Sequence, residues 1–336
     1  MPRTWQQPLH EIGGRALAAE LSSLGRATAW INSPALTDAD LVGKVVLVQF
    51  WTFTCINWLR TLPYIRAWAQ AYGPSGLVVV GVHTPEFPFE RDLANVRRSA
   101  AELKVNYPVA VDNDYAVWGA FDNHYWPALY LLDSGGRVRH HQFGEGEYAG
   151  CERAIQRLLA DAGARDATRP LAAVDGRGIE APADWADLRS PENYVGYERT
   201  ENFASPGGAA SGRRRVYALP RELLLNHWAL DGDWTVAKQA IALNQPGGRI
   251  AYCFHGRDLH LVMGPPADGR PVRFRVLLDG KPPAAARGLD VDAQGAGVAT
   301  DQRLFQLIRQ PKPIVDRVCT VEFLDPGVEA FSFTFG

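Results

Sequence analysis

The chain has 336 residues, 46% of them hydrophobic and 21% charged, with a formal net charge of -2. This is the profile of a soluble globular protein with room for two cores, not of a disordered, fibrous or membrane chain. So balanced a charge leaves no electrostatic footprint for nucleic acid or anionic lipid. No window is apolar for long enough to span a bilayer, and Met1-Pro-Arg-Thr-Trp-Gln-Gln-Pro8 lacks the apolar stretch of a secretory signal. The expected location is therefore cytoplasmic, or periplasmic/extracytoplasmic for a chain trimmed ahead of this numbering.

In chain order, Lys44–Trp51 is a nearly continuous apolar run of the kind that forms a buried parallel strand. Leu59–Tyr72 has helical spacing, with Leu59, Leu62, Ile65, Ala69 and Tyr72 on one side, and Gly73-Pro-Ser-Gly76 ends it. Leu77–Val82 reads as a second buried strand and Phe89–Leu103 as a second helix, completing a βαβ unit. After Tyr107–Asp112 come a short helix at Tyr115–Phe121, a hairpin of Ala128–Asp133 and Arg137–Gln142 through Ser134-Gly-Gly136, and a closing helix at Gly150–Ala160. Parallel strands, then an antiparallel hairpin and a last helix, is the order of an α/β thioredoxin fold.

Residues 164–188, rich in Ala, Gly, Pro, Asp and Arg, are expected to link a first domain at 1–163 to a second at 189–336. Beyond them the pattern becomes all-β, with strand-length runs at 248–255, 258–263, 272–278, 319–324 and 330–335 separated by Gly, Pro and Asp. Such spacing predicts a β-sandwich of jelly-roll type. Arg213-Arg214-Arg215, the one basic run, is expected as a solvated loop.

The four cysteines, Cys55, Cys151, Cys253 and Cys319, form no CxxC pair and no zinc spacing. Cys55 follows a buried strand and opens a helix, where unpaired backbone N–H groups and the helix dipole stabilise a thiolate. Thiols so placed ionise with pKa values of about 3.5–7.5. Cys55 is thus the expected nucleophile.

Val48-Gln-Phe-Trp-Thr-Phe-Thr-Cys-Ile-Asn-Trp58 and Gly81-Val-His-Thr-Pro-Glu-Phe87 resemble the redoxin (TlpA-like and AhpC/TSA-like) branch of the thioredoxin superfamily, in particular the soluble part of DipZ-type proteins. Trp51 stands at the family's aromatic position, Pro63 at that of the kinking proline in the active-site helix, and Pro127, after Trp126, at that of the cis-proline. The second domain is similar to the carbohydrate-binding-module-like sandwich that follows in DipZ-type proteins. The resemblance implies an active-site environment of Trp51, Thr52, Thr54, Asn57, Trp58, His83, Trp126 and Pro127, and a backbone edge for a substrate peptide.

Two departures shape the expected chemistry. Trp58 stands where most relatives carry a second cysteine, so Cys55 must rely on an outside thiol to resolve its adducts. Gln49 stands where thioredoxins keep a buried Asp, and Glu86 is the nearest replacement acid, a candidate general base working through water. Cys151, near the start of the last helix, is the one other thiol to weigh as a resolving partner, although disulfide geometry disfavours it. Thr52, three residues before Cys55, partly matches the Thr-x-x-Cys of peroxiredoxins.

The leading expectation is a single-cysteine thiol–disulfide oxidoreductase, its partners a protein disulfide or sulfenate and an external thiol reductant. The alternatives are a one-cysteine thiol peroxidase acting on peroxide, and a non-catalytic thioredoxin-fold binding protein. No cofactor or metal is expected: His140 and His141 point to opposite faces of a strand, and a hairpin through Gly256-Arg-Asp258 would part His260 from Cys253 and His255. Trp185, Trp228 and Trp234 could stack on carbohydrate, though large aromatics are more often core.

Overall fold

A computed structural model describes residues 17–336. The segment Met1–Pro8, read above for a leader, lies outside the described residues. The chain forms two compact units that meet between Val174 and Asp175.

The first unit contains, in order, α1 (Leu17–Ser22), β1 (Ala29–Ile31), α2 (Asp38–Leu41), β2 (Val45–Trp51), α3 (Ile56–Tyr72), β3 (Leu77–His83), α4 (Leu93–Glu102), β4 (Val109–Val111), α5 (Ala116–Ala120), β5 (Ala128–Leu132), β6 (Val138–Phe143) and α6 (Tyr148–Asp161). Its six-stranded sheet runs β1-β4-β3-β2-β5-β6. β2, β3 and β4 are parallel, while β5, β6 and β1 are antiparallel to their neighbours. This is a thioredoxin-like fold. All seven residues of β2 are buried, which is why its sequence lacks alternation. One face packs Val46, Val48, Phe50, Val80 and Val82 with Leu21, Val117 and Phe121.

Glycine is required at position 81 of β3. A Cβ there would stand 2.8 Å from Trp51 Nε1 and 3.0 Å from the Tyr107 ring, so the missing side chain makes room for the indole beside the site.

The unit boundary falls inside the stretch expected as linker. Residues up to 174 belong to the first unit, where Glu152 of α6 accepts hydrogen bonds from Trp68 Nε1 at 3.0 Å, Tyr72 OH at 2.6 Å and the amide of Ala172. Arg169 donates to the carbonyl of Ala71 at 2.6 Å, and its guanidinium lies over the Tyr72 ring. From Asp175 the chain serves the second unit: Arg309 donates to Gly178 O and Arg257 to Pro182 O, and Leu188 packs on that unit's core.

The second unit is all-β: β7 (Asn193–Tyr194), β8 (Arg214–Tyr217), β9 (Trp228–Val236), β10 (Ile241–Leu243), β11 (Arg249–Phe254), β12 (Asp258–Gly264), β13 (Val272–Leu278), β14 (Ala296–Ala299), β15 (Arg303–Arg309), β16 (Arg317–Phe323) and β17 (Glu329–Phe335). Its pairings form one antiparallel path, β14-β13-β16-β11-β9-β10-β17-β12-β15, consistent with a sandwich. β9 joins the two halves, its first part pairing with β11 and its second with β8 and β10. Gly232 sits at the change of partner with φ +92, where a Cβ would meet the Gly248 Cα at 2.9 Å.

Two local expectations are corrected. Gly256-Arg257 does not make a hairpin, because β11 pairs with β9 and β16 whereas β12 pairs with β15 and β17. Arg214 and Arg215 lie in the strand β8, where Arg214 forks onto Asp233 at 2.9 Å, an ion pair that favours pairing over a loose loop. Trp228 and Trp234, in keeping with the core reading of large aromatics, are wholly buried and offer no face to a sugar, whereas Trp185 is exposed.

Candidate active site

β2 delivers the chain to the turn Thr52-Phe53-Thr54, and Cys55 occupies the N-cap of α3 in extended conformation. Its amide donates to Thr52 O at 3.2 Å, and its carbonyl accepts the Leu59 amide at 3.0 Å, the first bond of the helix. Cys55 is half-buried, while Cys151, Cys253 and Cys319 are buried, and the four form no disulfide with one another. Its sulfur lies 3.7 Å from the carbonyl of Trp126. The Trp126–Pro127 peptide is cis. Trp126 is held by its indole N–H to Thr84 O at 3.1 Å and by packing on Trp118.

The second turn position is closed. Trp58 is 0% exposed, stacked on Trp51 with ring centroids 4.3 Å apart and planes 21° apart. Its N–H donates to Gln49 Oε1 at 3.2 Å, and Gln49 Nε2 donates to Thr61 Oγ1 at 2.9 Å. The Thr61 hydroxyl returns to Trp58 O at 2.8 Å, so Gln49, Trp58 and Thr61 form a closed ring of hydrogen bonds. The glutamine is matched to the indole: its carbonyl oxygen accepts and its amide donates, each to a buried partner.

His83 ends β3 opposite Trp51 and is wholly buried, its ring edge-on to Trp51 at 4.8 Å and stacked on Phe53 at 5.7 Å. Neither ring nitrogen has a hydrogen-bond partner. Burial pulls its pKa down to about 3, so the imidazole is neutral. It packs on Phe53 of the turn that leads to Cys55, and its protonated form is disfavoured near neutral pH. Thr52 is fully buried, and Asn57 is half-buried in the first turn of α3.

Glu86 is half-buried, and its backbone amide donates to another acid that the sequence reading missed. Glu90 is 0% exposed and accepts from Thr54 Oγ1 at 2.6 Å, the Glu86 amide at 2.6 Å and the Phe87 amide at 2.9 Å. Burial outweighs these bonds and raises its pKa to about 7. A readable signal exists: Pro88 at the first position of a helical turn with Glu90 at the third is a helix-start pattern.

Cys151 lies in the first turn of α6, 3.4 Å from His140 Nε2. Burial pushes its thiol up to about 12, and Glu147 adds to this. Burial likewise raises Cys253 and Cys319. Among the described residues no group of three or more His, Cys, Asp or Glu is placed to hold a metal ion, and no helix is long and apolar enough to cross a membrane.

A half-buried thiol at a helix N-cap, beside a cis-proline loop on a mixed sheet, defines a thioredoxin-like redox domain. Residues 26–141 match the model of the AhpC/TSA family, and residues 190–336 that of the thioredoxin-like C-terminal domain. The chain is 35% identical to protein DipZ of Mycobacterium tuberculosis over 330 residues, 95% of this chain and 44% of that protein. It thus spans less than half the length of that relative. It is 34% identical to the thiol-disulfide oxidoreductase YkuV of Bacillus subtilis over 157 residues, 46% of this chain and 97% of YkuV. The chain belongs to this thioredoxin-like thiol–disulfide oxidoreductase family.

Proposed function

We propose that the chain works as a single-cysteine thiol–disulfide oxidoreductase. The Cys55 thiolate attacks one sulfur of a protein disulfide; that S–S bond breaks, a Cys55 mixed disulfide forms, and the leaving thiolate takes up a proton. An external low-molecular-weight thiol, as thiolate, then attacks the substrate's sulfur in the mixed disulfide. This returns Cys55 as thiolate and leaves the substrate joined to the external thiol, from which a second such thiol frees it. A substrate sulfenate enters the same cycle with water as the leaving product.

The observation that carries this reading is Trp58, which fills the second turn position, wholly buried and bonded to Gln49. The raised pKa values of the other three thiols support it, because a resolving thiol must itself ionise.

The test is mass spectrometry of the protein after oxidised glutathione and then after reduced glutathione. The expected result is one adduct, on Cys55, reversed by the second treatment and absent in Cys55→Ser. An internal disulfide from Cys55 to Cys151 would overturn the external-thiol step. Rapid peroxide consumption with a Cys55 sulfenate would select the peroxidase reading, and partner capture unchanged in Cys55→Ser the binding-protein reading.

A further inference from the structure

The active-site turn is tied to the loop after β3 through one buried carboxyl group. Glu90 Oε2 receives two backbone amides, Glu86 at 2.6 Å and Phe87 at 2.9 Å, while Oε1 receives the hydroxyl of Thr54, the residue before Cys55, at 2.6 Å. Thr54 is 2% exposed and Glu90 0%, so bulk water cannot substitute for any of these bonds.

The division of labour between the two oxygens has a consequence. With both acceptor directions of Oε2 taken by amides, a proton added to Glu90 must reside on Oε1. There it meets Thr54 Oγ1, which then accepts instead of donating. The Thr54 hydroxyl must turn its own hydrogen elsewhere, so one protonation event reverses the direction of a hydrogen bond next to the nucleophile.

We propose that Glu90 is a positioning residue for Cys55, acting through Thr54, and that its protonation state sets the direction of the Thr54 hydrogen bond and with it the ease of forming the Cys55 thiolate. This rests on the thiol reading above. The neighbourhood agrees with a carboxyl that changes state near neutrality. Burial raises its pKa to about 7, and the charge of Glu86 adds to the shift. The other groups around it are Thr52, whose hydroxyl lies alongside, and Tyr115, whose phenol is disfavoured from ionising by both Glu90 and Glu86. Arg91, the nearest cation in sequence, is turned to the Tyr115 ring and the carbonyl of Asn113. His83 stays neutral. An ionised Glu90 thus keeps the Thr54 hydrogen on Oε1 and away from the sulfur, which opposes the thiolate.

The test is the pH dependence of Cys55 alkylation by iodoacetamide in the full chain, read residue by residue. Wild type is expected to show a broadened two-step profile, because two coupled groups titrate together. Glu90→Gln should give a single step displaced to lower pH by about half a unit, roughly 3-fold faster alkylation at a pH above the Glu90 transition and below that of the thiol. Thr54→Val, which leaves both amide bonds to Glu90 in place, should also lose the two-step shape, and Thr54→Ser, which keeps the hydroxyl, should restore it. A wild-type profile in both Glu90→Gln and Thr54→Val overturns the Glu90 assignment alone; should Glu90→Gln not fold, Thr54→Val and Thr54→Ser decide it. Wild-type Cys55 alkylating no faster than Cys151 overturns the thiol reading, and this inference with it.

Discussion

Trp58 lies one helical turn beyond Cys55, and its buried neighbours are matched to the indole. Gln49 accepts the indole N–H and Thr61 completes the hydrogen-bond ring, so a smaller residue at position 58 loses packing and leaves polar atoms without partners. Trp58→Ala is expected to destabilise the first unit by about 3–5 kcal/mol in urea unfolding. Trp58→Phe, which keeps a ring but no donor, should cost about 1–2 kcal/mol. Two buried titratable residues near the site then contribute to the pH dependence of stability, with opposite signs. Glu90 has its pKa raised from 4.5 to about 7, so its contribution is present below 4.5 and is lost as pH rises toward 7. His83 has its pKa lowered from 6.5 to about 3, so its contribution is present above 6.5 and is lost as pH falls toward 3. Between pH 4.5 and 6.5 the two slopes, each about 1.4 kcal/mol per pH unit, cancel. Glu90→Gln should therefore make stability climb with pH across this window, and His83→Phe should make it fall, measured by urea unfolding at three pH values.

At the scale of elements, the segment 164–174 acts as a strap on α3 and α6. Glu152, 3% exposed, gathers Trp68, Tyr72 and the Ala172 amide on one carboxylate, and Arg169 closes on Ala71. Glu152→Ala leaves those donors buried without an acceptor and is expected to cost about 3 kcal/mol. Limited trypsin digestion of the full chain reads the strap directly: cleavage after Arg165 should be much faster in Glu152→Ala than in wild type. The composition of this segment, rich in Ala with Arg165, Asp166, Arg169 and Pro170, resembles that of a free linker because the anchors cited for it are one backbone amide, that of Ala172, and one arginine. A strap held through its backbone leaves little trace in side-chain periodicity.

Over the whole molecule, what was legible followed from how each part is buried. The central strands of the first unit stand out as unbroken apolar runs because both faces of β2 and β3 are covered. β1 and β7, of three and two residues, are too short to show a period. β9 was missed for another reason: Asp231-Gly-Asp233 reads as a turn, yet the chain passes through Gly232 without breaking the strand, changing partners as it goes. At the site, the placement of Cys55, Trp58 and Gln49 was legible because it follows from position relative to a strand end and a helix start. Glu90 was not, since a loop brings it to the turn, and a glutamate at a helix start ordinarily reads as a surface residue. The two units keep separate cores, one around Phe50 and Val82 and the other around Trp228, Phe274 and Phe333. The stack of Trp51 on Trp58, 4.3 Å apart and nearly parallel one turn from the half-buried sulfur, also gives the molecule an optical signature. Indoles held this closely couple their electronic transitions, and sulfur in different oxidation states quenches indole emission to different degrees. Oxidation of Cys55 by oxidised glutathione is thereby expected to change the intrinsic tryptophan emission, a change absent in Cys55→Ser, with no added dye.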